Sequence, residues 1–101
     1  VFRRYSIEVV PPPAKDQHFV DTVIFGELVH GKFLESSRLR YNEVIARLKD
    51  EGCDCVILGC TEIPLLVRAD DCPLPSLDST RLLAHAAVRH AIGLDAQKIT
   101  A

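Results

Sequence analysis

Cys60 stands in a run, Val56-Ile57-Leu58-Gly59-Cys60-Thr61-Glu62-Ile63-Pro64-Leu65-Leu66, where a thiol has the surroundings to act as a base or an acid. Cys55 to Leu58 is a continuous apolar stretch with two β-branched residues at its centre, the pattern of a strand buried on both faces in a parallel sheet. Gly59 ends it. Thr61 is a good N-cap, Glu62 suits the positive end of a helix, and Pro64 fits a first turn because its missing N–H has no partner there. Cys60 is therefore expected where a strand's carboxyl end meets a helix's amino end. That position moves a thiol's pKa from ~8.5 toward neutrality, and open α/β sheets bind ligands along the same edge. Free amides there also suit a carboxylate. Without further context, a buried structural cysteine is the commoner meaning of such a pattern.

The remaining elements must carry that junction. Ile7 to Val10 reads as a short strand closed by Pro11-Pro12-Pro13, which cannot continue a central ladder. Asp16 is placed to cap a helix with Val20, Val23, Ile24 and Leu28 on one face, and Gly31 follows where a C-terminal glycine belongs. Ser36 or Ser37 starts the next helix. Tyr41, Val44, Ile45 and Leu48 recur at i, i+3, i+4 and i+7 against Arg38, Arg40, Glu43, Arg47 and Asp50, and Gly52 stops it. After the Cys60 strand and its helix, Leu74 to Leu77, broken by Pro75, reads as an edge strand. Asp78-Ser79-Thr80 caps a last helix whose Leu83, Ala84, Ala87, Val88 and Ala91 are expected to face inward, ending at Gly93. The order predicts an α/β fold, a parallel sheet flanked by helices in three layers.

Composition narrows the classes. The chain has 101 residues, 48% of them apolar, with formal charge −2 and acidic and basic residues interspersed. That is one domain at most, with no basic stripe for nucleic acid and no polybasic anchor for a membrane. No apolar run approaches the roughly 20 residues that span a bilayer, and the first residues lack a signal peptide's apolar segment, so a cytoplasmic protein is expected. Val1 to Tyr5 reads like the end of an element begun earlier, which suggests a fragment. The four cysteines raise a rival, a zinc or disulfide module. The spacings between Cys53, Cys55, Cys60 and Cys72 do not match the Cys-x2-4-Cys pairs of structural zinc sites, and disulfides conflict with a reducing compartment. No metal is expected.

The ordered set Gly52-Cys53-Asp54, Val56 through Leu66, Leu74-Pro75 and Asp78-Ser79-Thr80 resembles the carboxyl-terminal half of the aspartate/glutamate racemase family. Ile7-Glu8-Val9-Val10-Pro11, Ile24-Phe25-Gly26-Glu27-Leu28, Gly31 and Arg40-Tyr41 fit its aspartate racemase branch. The resemblance implies one lobe of a two-lobed α/β enzyme, residues 1–93, followed by a tail at 94–101. It implies an isomerase that needs neither pyridoxal phosphate nor a metal, acts on an acidic amino acid, and pairs as a homodimer. One cysteine per lobe then works on opposite faces of the α-carbon, and Cys60 matches the second. Thr61 would hold the substrate carboxylate. Glu62 stands where the glutamate racemase branch has histidine and would tune Cys60 or meet the substrate ammonium. Asp78, Ser79 and Thr80 would wall the cleft.

Bland meanings accompany each residue: Thr61 as a cap, Glu62 as a dipole complement, Asp78 to Thr80 as ordinary caps, and His18, His30 and His90 as surface residues. Relatives carry a histidine in an Asp-Thr-Thr-x-x-His arrangement, whereas this chain has Leu83 there and His85 about 200° further round the helix. Hydantoin racemases, maleate isomerases and arylmalonate decarboxylases share the scaffold, so a related cysteine-based isomerase or decarboxylase is the alternative reaction. A non-catalytic fragment that exposes the surface of a lost neighbour is the other alternative.

Overall fold

The computed structural model describes residues 1–94. A 3-10 turn at Phe2–Tyr5 precedes helix α1 (Ala14–Gly26), a second 3-10 turn at Leu28–His30, helix α2 (Glu35–Asp50), strand β1 (Val56–Leu58), the single-turn helix α3 (Ile63–Leu66), strand β2 (Ser76–Asp78) and helix α4 (Ser79–Ala91). β1 and β2 form a parallel pair in the register Val56↔Ser76, Ile57↔Leu77 and Leu58↔Asp78. The α/β class with a parallel sheet is as the sequence predicts.

The core is built where the helical periodicity says it should be. Tyr41, Val44, Ile45 and Leu48 of α2 are all buried. Tyr41 and Ile45 join Val23, Leu28, Leu58, Leu66, Val67 and Leu74 in one apolar cluster. Polar contacts fix the helices around it. The Tyr41 hydroxyl donates to the Val20 carbonyl at 3.0 Å, tying α2 to α1. Arg47 reaches across to buried Asp16 with two hydrogen bonds, 2.8 and 3.1 Å. Arg38, buried on α2, bridges Glu35 on its own helix and Asp71 in the loop before β2. That planar fork holds the loop to the helix in a way a point charge could not.

Several local expectations give way. Ile7–Val10 forms no strand and is exposed, because no described strand lies beside it to complete a ladder. Asp16 does not cap α1. Pro13 precedes the first turn, and the Asp16 carboxylate is taken by Arg47 instead. Neither Ser36 nor Ser37 starts α2, which begins at Glu35; the Ser37 hydroxyl donates to Glu27 at 2.6 Å. Leu28 lies in a 3-10 turn rather than in α1, yet it is buried, and Gly31 closes that turn at φ +74°. Gly52, at φ +101°, turns the chain out of α2 as expected.

β1 is not buried on both faces. Ile57 is 41% exposed, since α1 and α2 cover only the face that carries Leu58. Thr61 makes no capping bond, and the N-cap position of α3 is Glu62. Asp78 does cap α4, accepting from the amides of Thr80 and Arg81 at 3.0 and 3.1 Å. The apolar residues of α4 do not face inward: Leu83, Ala84, Ala87, Val88 and Ala91 are all exposed, and no residue of this helix is buried. Amphipathic spacing says which side of a helix seeks cover, but it supplies no covering surface. Beyond Leu94, the tail read from the sequence lies outside the described residues.

Candidate active site

Cys60 follows the carboxyl end of β1 by two residues and is half-buried. Its local chemistry comes from the chain just after it. The Cys60 thiol donates to Oε2 of Glu62, with Sγ and oxygen 3.0 Å apart. That bond, joined by one from the Thr61 side chain, holds the Glu62 carboxyl below its ordinary range. The three consecutive residues expected to form the site therefore converge, with the carboxylate as common acceptor. The tip of α3 contributes less than the sequence suggests. α3 is one turn of four residues, so few aligned peptide dipoles stand behind Cys60.

The strand neighbouring β1 runs directly into α4. The Ser79 hydroxyl donates to the carbonyl of Leu58 at 3.0 Å, fastening the start of α4 to the last residue of β1. Asp78 is committed to its capping bonds, and Thr80 is exposed. A cavity of about 580 Å³ opens on this side between α3 and α4. Asp78, Arg81 and His85 line it together with Leu58, Pro64 and Val67. Cys60, Thr61, Glu62, Ser79 and Thr80 do not line it, so of the sequence-predicted residues only Asp78 reaches this recess. His85 is in the recess, whereas Leu83 is 71% exposed.

Tyr41, whose spacing marks it only as a core position of α2, also touches the site electrostatically. Burial pushes its phenol well above the ordinary range, and the electrostatic influence of Cys60, then of Glu27 and Asp21, pushes it further. A tyrosine among aliphatic core positions is the only sign of this in the sequence, because a buried hydroxyl must find a partner. Glu27 and Ser37, ten positions apart, are joined by a hydrogen bond that no local pattern announces. All four cysteines are free thiols. Among the described residues no three His, Cys, Asp or Glu side chains converge as metal ligands would, and no helix is long and apolar enough to cross a membrane.

Comparison with known proteins bears on the fold and the family. A crystal structure of a candidate Asp/Glu racemase from Yersinia pestis superposes with a TM-score of 0.84 at 40% sequence identity. The match covers 90% of this chain and 40% of that one, so this chain spans less than half of the relative's length. The family model for Asp/Glu/hydantoin racemases matches residues 1–87. With the family model matched over nearly all of its described length and a structural relative at 40% identity, the chain belongs to the Asp/Glu/hydantoin racemase family.

Proposed function

We propose that residues 1–93 form the carboxyl-terminal lobe of a cofactor-independent amino-acid racemase, with Cys60 as one of two groups that exchange the α-proton. The observation that carries this reading is the contact of the Cys60 thiol with the Glu62 carboxylate at the end of β1. Inversion at a stereocentre needs a base on one face of the α-carbon and an acid on the other. A single group returning its proton to the face it came from regenerates the starting enantiomer. Positioned acid and base groups each contribute typically ~10²- to 10⁴-fold. Cys60 is one such group, and its counterpart belongs to the length of the family polypeptide beyond this match.

In this reading Thr61 holds the substrate carboxylate through its hydroxyl and amide, and Glu62 orients the thiol or meets the substrate ammonium. Asp78, Ser79 and Thr80 bound the cleft. The substrate is an acidic amino acid, the assembled enzyme is a homodimer, and its compartment is the cytoplasm. No cofactor enters the chemistry.

The test is deuterium exchange at the α-carbon of aspartate and glutamate, followed by NMR in D2O, with optical rotation as the readout of inversion. The protein is a chimaera in which this chain replaces the matched segment of the Yersinia relative. Cys60→Ser is expected to lower inversion by at least ~10²-fold, and the 101-residue chain alone is expected to invert neither substrate. Unchanged inversion by the serine variant would remove Cys60 from the reaction.

A further inference from the structure

Packing does little to hold the stretch that carries the Cys60 thiol. Leu58 is buried, but Gly59 and Thr61 are exposed and Cys60 between them is half-buried. A side chain placed at Gly59 would meet nothing within 4 Å, so no neighbour presses on the backbone there. Glu62 holds Sγ from the other side, yet that bond joins residues two positions apart and ties the loop only to itself.

The contact that reaches the sheet comes from Ser79. Its hydroxyl donates at 3.0 Å to the carbonyl of Leu58, the last residue of β1, across twenty-one positions of sequence. Ser79 is itself set firmly. Asp78, immediately before it, is the register partner of Leu58, and the Asp78 carboxylate accepts from the amides of Thr80 and Arg81 immediately after it. A donor held between a ladder and a helix cap therefore grips the peptide group two residues ahead of the cysteine.

We propose that Ser79 is a positioning residue for the Cys60 thiol, acting through the Leu58 carbonyl to fix the root from which the cysteine reaches a substrate. This rests on the reading of Cys60 as a proton-exchanging group. Proton transfer needs its heavy atoms within about 2.6–3.2 Å of each other, and a misplacement of about 1 Å can cost ~10²-fold. The role asks for a hydroxyl, which threonine also supplies and alanine and valine lack.

Ser79→Ala, Ser79→Val and Ser79→Thr test it by two measurements. In the chimaera with the Yersinia relative, the alanine and valine variants should lower kcat for inversion about 10-fold with KM within about twofold, while the threonine variant stays within about threefold of the parent. In the 101-residue chain, a 13C NMR titration of the Glu62 carboxyl reads the place of the thiol without any catalysis. Because the Cys60 bond is the larger cause of the lowered Glu62 pKa, that group should titrate below about 4.3 in the parent and in Ser79→Thr, and move back toward it in the other two. Valine matches threonine in shape, so this pair isolates the donor even where the alanine variant folds poorly. An unmoved Glu62 titration in both variants without the hydroxyl overturns the proposal. So does a raised KM at full kcat, which would make Ser79 a substrate contact, and so do equal losses in the threonine and valine variants. If Cys60→Ser leaves inversion intact, the reading of Cys60 falls, and the Glu62 titration still decides whether Ser79 places the thiol.

Discussion

α2 and α4 are helices of similar length and similar apolar periodicity with opposite fates. α2 buries six of its sixteen residues; α4 buries none of its thirteen. The difference lies in what stands opposite each helix. α2 meets α1, β1 and the loop that Asp71 pins through Arg38, so its stripe of Tyr41, Val44, Ile45 and Leu48 has surfaces to cover. α4 is held at its start by the Asp78 cap and the Ser79 bond, and its apolar residues beyond meet nothing that buries them. The pair teaches that periodicity encodes a demand for contact, and the rest of the fold decides whether it is met.

The largest expected effect is in α2. Ile45→Ala removes a fully packed side chain and should cost about 2–5 kcal/mol in urea unfolding of the isolated chain. Leu83→Ala, a comparable truncation on α4, should stay within about 0.5 kcal/mol in the same assay. Equal costs would break the contrast. In the chimaera Leu83→Ala should become more destabilising if α4 gains cover there.

Tyr41→Phe has a smaller effect. Loss of the hydrogen bond to Val20 should cost about 0.5–1.5 kcal/mol. The Tyr41 pKa is raised in the fold, so its contribution is complete below the unfolded value near 10 and fades as pH climbs past it. Wild-type protein should therefore lose stability above about pH 10, and the phenylalanine variant should lose less there. A parallel decline in both would place the alkaline sensitivity elsewhere.

The smallest effect is acidic. Glu62 and Glu35 have pKa values below the ordinary carboxyl range in the fold, Glu62 through Cys60 and then Thr61, Glu35 through Arg38. Their contributions are present above about pH 4.3 and lost as pH falls through the lowered values. Glu62→Gln and Glu35→Gln should each flatten the acid limb of a stability–pH curve slightly. Conversely, an unchanged acid limb in both would mean that these surface bonds carry no stability.

What could be read in the sequence was whatever depends on near neighbours. The i, i+3, i+4, i+7 stripe of α2, the turn at Gly52, the β1 run and the Asp78 cap each involve residues within a few positions, and each is present. The Cys60-Thr61-Glu62 cluster was legible for the same reason, though its bond runs between side chains rather than to a helix tip. What was not legible needed distant partners. Asp16 is as good a cap as Asp78 by type, but Arg47, thirty-one positions on, claims it. The strand expected at Ile7–Val10 and the inward face expected of α4 both lack a neighbour among the described residues.

The fastening of Ser79 to Leu58 constrains how a guest could be admitted. With the serine hydroxyl latched to the strand's final carbonyl, the Asp78–Thr80 corner is fastened to the tip of β1. Gly59 to Glu62 is the stretch between that latch and the first turn of α3. If Cys60 works as proposed, lengthening or stiffening those four residues would retune the aim of its thiol while leaving the β1–β2 register in place.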